Sequence, residues 1–228
     1  EKHDQSTTLK SLDIVKKDFF TSQGEEILAL DKRGKKGDFP KLKAIGQVFD
    51  SFIVAQGAEA LYIIDQHGAH ERICYENIVK KFVNEQLLAQ GIAIPILLDL
   101  NPLETELLID MIVTLADLGI IIEHFGGNDF LIRAVPQGLD GDGAADLVRD
   151  LLYHVQEIET VKLKYAEEAL KLMACKAAVK AKNILSIREQ QALIEDLSLL
   201  ENPYTCPHGR PIIISFEFKE LMKRFYRN

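Results

Sequence analysis

The sequence predicts an α/β (α+β) fold in two lobes, with a middle block inserted into an outer one. Three observations carry this. Short β-rich runs alternate with helix-length segments. The stretch 83–171 has strands and helices enough for a subdomain of its own, and the last third is mostly helical. With 228 residues, 47% of them apolar, there is ample material for a hydrophobic core.

Residues 1–41 read as a linker or poorly ordered tail: polar, and ending in a run of charge, Gly and Pro without periodicity. Within it, 27–30 suits an edge strand or disorder. Order begins near Lys43. The stretch 44–55 is β-rich, 61–64 is a short buried strand, and 56–59 between them is a hairpin turn. Asp65 closes the second strand, and a helix follows over 67–84. In the middle block 92–98 reads as a strand, and Asn101-Pro102 opens a helix through Leu118 with Glu104 and Glu106 near its positive end. Strands at 120–125 and 130–135 flank Gly126-Gly-Asn-Asp129, and a helix covers 144–158. Helices at 163–182 and 187–200, a loop at 206–211, a strand at 212–216 and a short helix at 219–227 complete the chain.

The formal net charge of −8, from 35 acidic and 27 basic side chains, argues against tight unaided binding to nucleic acid. Lys176, Lys180, Lys182, Arg188 and Arg210 form either a local basic face or ordinary solvated helix surface. Three cysteines make no disulfide framework and suit reduced thiols in the cytoplasm. No apolar run approaches the roughly 18–20 residues that cross a bilayer. The polar start shows no signal-peptide pattern, and the missing initial Met suggests a piece of a longer protein.

Chemistry concentrates in three clusters. In the first, Asp65 precedes a helix on which His67 and Glu71, four apart, share a face, and the three converge on one cation or form an ordinary capped helix with a His–Glu pair. His70 points elsewhere and is expected to be exposed. Cys206-Pro-His208 lets a thiolate and an imidazole reach one ion, or simply shapes a turn. Cys175 reads by default as a small buried apolar residue, and Cys74 as core. Asp140-Gly-Asp-Gly143 lacks the later ligands of a calcium loop, Gly34-Lys-Lys-Gly37 is no phosphate-binding loop, and no Gly-x-Ser-x-Gly elbow occurs.

Together the clusters resemble the C-terminal domain of the MutL family of DNA mismatch-repair proteins, in its endonuclease-bearing form. Asp65-Gln66-His67-Gly68-Ala69-His70-Glu71-Arg72-Ile73-Cys74-Tyr75-Glu76 matches the family's first motif, with Gly68 where the family has Ala. Ala174-Cys175-Lys176-Ala177-Ala178-Val179-Lys180 and Cys206-Pro207-His208-Gly209-Arg210-Pro211 match the other two, and Phe225-Tyr226-Arg227 is similar to the family's closing Phe-x-Arg. The resemblance spans 42–228. It implies a homodimer, with a dimerisation subdomain from 42–82 and 172–228 carrying the metal motifs and a regulatory subdomain at 83–171. It also implies a latent Mn²⁺-dependent nuclease that nicks one strand of duplex DNA, and a regulatory or structural Zn²⁺.

Asp65, His67 and Glu71 take the catalytic positions, and Cys175, Cys206 and His208 complete the metal ligands. Lys176, Lys180 and Arg210 are expected to meet DNA phosphates. A degenerate sliding-clamp peptide falls on Gln90, Ile92, Ile94 and Pro95, with Ala93 where a branched aliphatic belongs. The mismatch-recognition protein MutS is a further implied partner, and the location is cytoplasmic and nucleoid-associated, away from membranes. No ATPase is expected from this stretch. Two alternatives stay open: a non-catalytic dimerisation and regulatory module with a structural zinc, and a metallohydrolase for a small substrate.

Overall fold

The computed structural model describes residues 39–83, 87–155, 162–179 and 184–226, and these form an α+β fold with two small sheets. The expectations for the tail, for the ends of two helices near 158 and 182, and for Lys180 and Arg227 lie outside the described residues. The chain divides into two compact units. Lys81–Leu170 forms one, and stretches on either side of it in sequence contribute the other.

The flanking unit is built on an antiparallel sheet ordered β1-β2-β3-β7, from Lys43–Val48, Phe52–Gln56, Ala60–Asp65 and Ile213–Glu217. Strand alternation sends Ile53 and Ile64, both fully buried, to one face. There they meet Leu193, Ile194 and Leu197 of helix α5 (Ile187–Ser198) in one hydrophobic cluster. Full burial of each such side chain contributes about 1.5–3 kcal/mol. Ser186 caps α5 through a reciprocal pair with Glu189. Helix α1 (Gln66–Val83) leaves the end of β3, and α6 (Phe218–Arg224) follows β7.

The β-rich stretch 44–55 is two strands, not one. Phe49 and Asp50 turn the chain between them at φ +53° and +51°, and Ser51 N donates to Val48 O at 3.2 Å. The register pairs Val48 with Phe52, so three residues connect the strands, and the first two take left-handed backbone without glycine. The turn at Gln56–Gly57 closes as expected, with Gly57 N donating to Ala60 O at 2.9 Å.

The other unit has a three-stranded sheet ordered β4-β6-β5, from Ala89–Asp99, Asp129–Pro136 and Ile121–Gly126. Helices α2 (Pro102–Asp117) and α3 (Gly141–Val155) bury Leu108, Met111, Leu115, Leu147 and Val148. Helix α4 (Lys162–Val179) leads back to the flanking unit. The start of α2 is as the sequence predicts: Asn101 accepts from Glu104 N, Glu104 accepts from Asn101 N, both at 2.9 Å, and Pro102 occupies the first turn. Asn101→Ala should therefore cost about 1 kcal/mol in urea unfolding. It should leave the circular dichroism of the native state unchanged.

Candidate metal centre

The site begins where β3 becomes α1. Asp65 Oδ1 accepts from His67 N at 2.9 Å and Gly68 N at 3.2 Å, so this carboxylate caps the helix as it starts. A methyl at Gly68 would lie 3.4 Å from Asp65 Oδ2 and 3.5 Å from Ile212, ordinary contacts that leave room for alanine. In the second turn, Glu71 is only 7% exposed. Helical spacing brings His67 Nε2 to 3.2 Å from Glu71 Oε1.

The second contributor is the loop before β7. Cys206 O accepts from Gly209 N at 2.9 Å, with Pro207 at the position where its fixed φ favours a turn and Gly209 at φ +79°. Cys206 N donates to Arg210 O at 2.8 Å, closing the loop beside the Thr205–Pro211 bridge. This folds Cys206 inward and turns His208 to Glu71, whose Oε2 lies 3.8 Å from His208 Nδ1. Glu71, Cys206 and His208 thus offer a carboxylate oxygen, a sulfur and an imidazole nitrogen within 4.8 Å of one another. Cys175 joins from α4. Its thiol donates to Glu71 Oε1 at 3.1 Å and lies 3.7 Å from His208 Nε2.

These donors fit a divalent ion. Carboxylate, thiolate and imidazole together are a zinc-type set, and the buried Glu71 carboxylate has its described ion pairs with histidines alone. Of the six expected ligands, the described geometry joins Cys175, Cys206 and His208 to Glu71. His67 reaches Glu71 from the exposed side, and Asp65 stands at the helix cap.

Two local expectations change. His70 is half-buried, not exposed. Helical spacing turned it from Glu71, but toward the side where Asp196 of α5 acts on it. Cys175 is not inert core, since its thiol meets Glu71. Cys74 is half-buried, and burial, then the Glu71 charge, push its thiol up from the ordinary range. Lys176 is half-buried and Arg210 exposed. Gln90, Ile92, Ile94 and Pro95 lie on β4 in the other unit, where pairing with β6 slips between Gly91 and Ile96 and leaves Ile94 83% exposed.

Residues that the spacing arguments passed over do much of the positioning. Arg72, next to Glu71, is 4% exposed and sends its Nε to Thr205 O and its Nη2 to Cys206 O at 3.2 Å. Glu76 is 8% exposed and accepts from Glu201 N at 2.9 Å and Asn202 N at 3.0 Å. Gln47 Nε2 donates to Gln66 Oε1 at 2.7 Å while Gln47 Oε1 accepts from Leu185 N at 2.9 Å, tying the first turn of α1 to the approach to α5. For Arg72 the sequence signal was only its spacing of four from Glu76, whereas Glu76 also closes the first motif.

Fold and site define an α+β chain with a mixed carboxylate–thiol–imidazole metal centre at one end of a small sheet. Residues 45–185 match the family described as the MutL C terminal dimerisation domain, and the chain belongs to that family. The DNA mismatch repair protein MutL of Heliobacterium modesticaldum is 40% identical over 194 residues, 84% of this chain and 29% of the relative. The proteins of the same description from Thermoanaerobacter pseudethanolicus and Macrococcus caseolyticus are both 38% identical, over 91% and 89% of this chain. The chain spans about a third of the length of the curated relatives it matches.

The half-buried imidazole of His70 gives a pH test. Burial, the largest influence, pushes His70 below its ordinary value of 6.5, and the nearby His67 adds to this against the opposing pull of the Gln66 backbone and Asp196. The unfolded chain thus takes up this proton first as pH falls below 6.5. The stability that depends on neutral His70 is fully present above that value and lost as pH drops toward the folded pKa. His70→Gln should flatten the stability–pH slope between about pH 7 and 5 in urea unfolding.

Proposed function

We propose that this chain is the dimerisation and latent endonuclease part of a mismatch-repair protein, nicking one strand of duplex DNA. The observation that carries the reading is Glu71 gathered with Cys175, Cys206 and His208 immediately after the Asp65–His67 helix start. Asp65, His67 and Glu71 would hold Mn²⁺, and Cys175, Cys206 and His208 would hold Zn²⁺, with Glu71 shared. A bound divalent ion supplies a water of lowered pKa and offsets charge developing on the phosphate. Lys176, Lys180 and Arg210 would neutralise phosphate oxygens of the same strand.

The acidic net charge of −8 makes DNA binding weak and salt-sensitive, so a further domain or a clamp would raise the local DNA concentration. The bulged, exposed run around Ile94 supports clamp binding through Gln90, Ile92, Ile94 and Pro95. Among the described residues no helix is long and apolar enough to cross a membrane. The reading places the protein in the cytoplasm, with the nucleoid, where MutS would recruit it. The domain assignment follows: the flanking unit dimerises and carries the metals, and the inserted unit regulates.

One observation favours the alternative of a dimerisation module with structural zinc: Asp65 Oδ1 already serves the two amides of the helix cap. Nicking of supercoiled plasmid separates the two. With Mn²⁺ and the sliding clamp, the wild type should produce relaxed circles that EDTA, Asp65→Asn or Glu71→Lys abolishes. Equal background from all samples, with a zinc-loaded dimer, would establish the alternative.

For dimerisation, the sheet face opposite the core supports an interface. Val48, Phe52 and Ile214 lie on it by register and are each 39–49% exposed, an apolar surface apt for a second copy. Ile214→Glu should convert a dimer to a folded monomer in sedimentation equilibrium.

A further inference from the structure

We propose that Arg72 and Glu76 are positioning residues that set the affinity of the metal centre by holding the Cys206–His208 turn against Glu71. The proposal rests on the metal reading of that site and extends it to side chains that contribute no ligand. Both groups are charged, both are buried, and each bonds to the loop backbone over 201–206, with Arg72 also reaching the Thr205 hydroxyl and Glu76 pairing with Lys80. The Cys206 peptide is thereby fixed at both ends. Its carbonyl takes Gly209 N and Arg72 Nη2, and its amide meets Arg210 O.

Glu71 and Arg72 are consecutive on α1, so a shift of the helix moves Glu71 and the Cys206 turn together. Glu76, just over one turn on from Arg72, fixes the loop's entry through two amides, and Asn202 Nδ2 carries the restraint to the Thr205 hydroxyl at 2.7 Å. Without these bonds the turn would have to be ordered when metal binds, and that entropy would be lost from the binding free energy. Outer residues that orient ligands contribute in this way, typically 10–100-fold in metal affinity.

Arg72→Lys keeps the charge but replaces the planar fork, whose Nε and Nη2 meet the two carbonyls at fixed spacing, with one compact ammonium. Glu76→Gln keeps the shape but turns one acceptor into a donor facing an amide N–H. The test uses the whole chain, stripped of metal, titrated with Co²⁺ and then with Zn²⁺ against a chromophoric chelator. Wild type should develop a thiolate-to-cobalt absorption band that Zn²⁺ displaces. Arg72→Lys and Glu76→Gln should each weaken Zn²⁺ binding about 10–100-fold and blunt the cobalt band, with the metal-free circular dichroism kept. The surface control Arg133→Lys should bind as wild type.

Unchanged Zn²⁺ affinity in a folded variant would overturn the proposal while leaving the metal site standing. A wild-type chain that binds neither ion would overturn the metal reading itself. Should Arg72→Lys fail to fold, Glu76→Gln carries the measurement alone.

Discussion

Two buried charges on one helix, Arg72 and Glu76, hold a loop that lies more than a hundred residues later in the sequence. Burying a guanidinium or a carboxylate is costly unless its hydrogen-bonding capacity is met. Here each is met by backbone groups of 201–206 and by the other's opposite charge. Because the partners are peptide groups, the arrangement constrains where the loop runs more than which side chains it carries. The turn at Cys206, the position of His208 and the start of β7 all follow from it. Ile212 then continues the path, its carbonyl accepting from Asp65 N at 2.8 Å, so the loop returns to the residue with which the site began.

The same helix is anchored at its start by amides. Gln66 and Gln47 bond to each other, and Gln47 reaches Leu185, so the sheet, α1 and the approach to α5 meet at one set of side chains. Gln191 adds a second link, accepting from Ala44 N at 2.9 Å on the edge strand. Neutral amides suit this place: they satisfy buried peptide groups without adding charge to a centre that already concentrates carboxylate and thiol.

How much of this was legible in the sequence depended on whether the signal was local. Asn101-Pro102-x-Glu104 states a helix start in four residues, and the structure forms both reciprocal bonds. Gly126-Gly-Asn-Asp129 likewise states a turn. The turn at Phe49-Asp50 has no such signature, because Phe rarely adopts left-handed backbone and only the pairing of β1 with β2 imposes it. His70 failed for a different reason. Helical spacing gives a side chain's direction around the axis, but says nothing of what packs on the far side. The carboxylate–imidazole pair His67–Glu71 was readable from its spacing of four. The reach of Arg72 and Glu76 to 201–206 was not, since no local pattern encodes contact with a loop so distant.

The slipped pairing of β4 has a consequence for how the protein behaves in solution. An outermost strand offers unpaired amides and carbonyls, an invitation for a neighbouring molecule to add itself. Between Gly91 and Ile96 this strand leaves its register, and Pro95 supplies no N–H within the gap. A foreign strand laid along it would find its ladder broken after a few residues, despite the apolar Ile92, Ile94 and Ile96 nearby. The irregularity thus limits the ladder that a second strand could build along this edge.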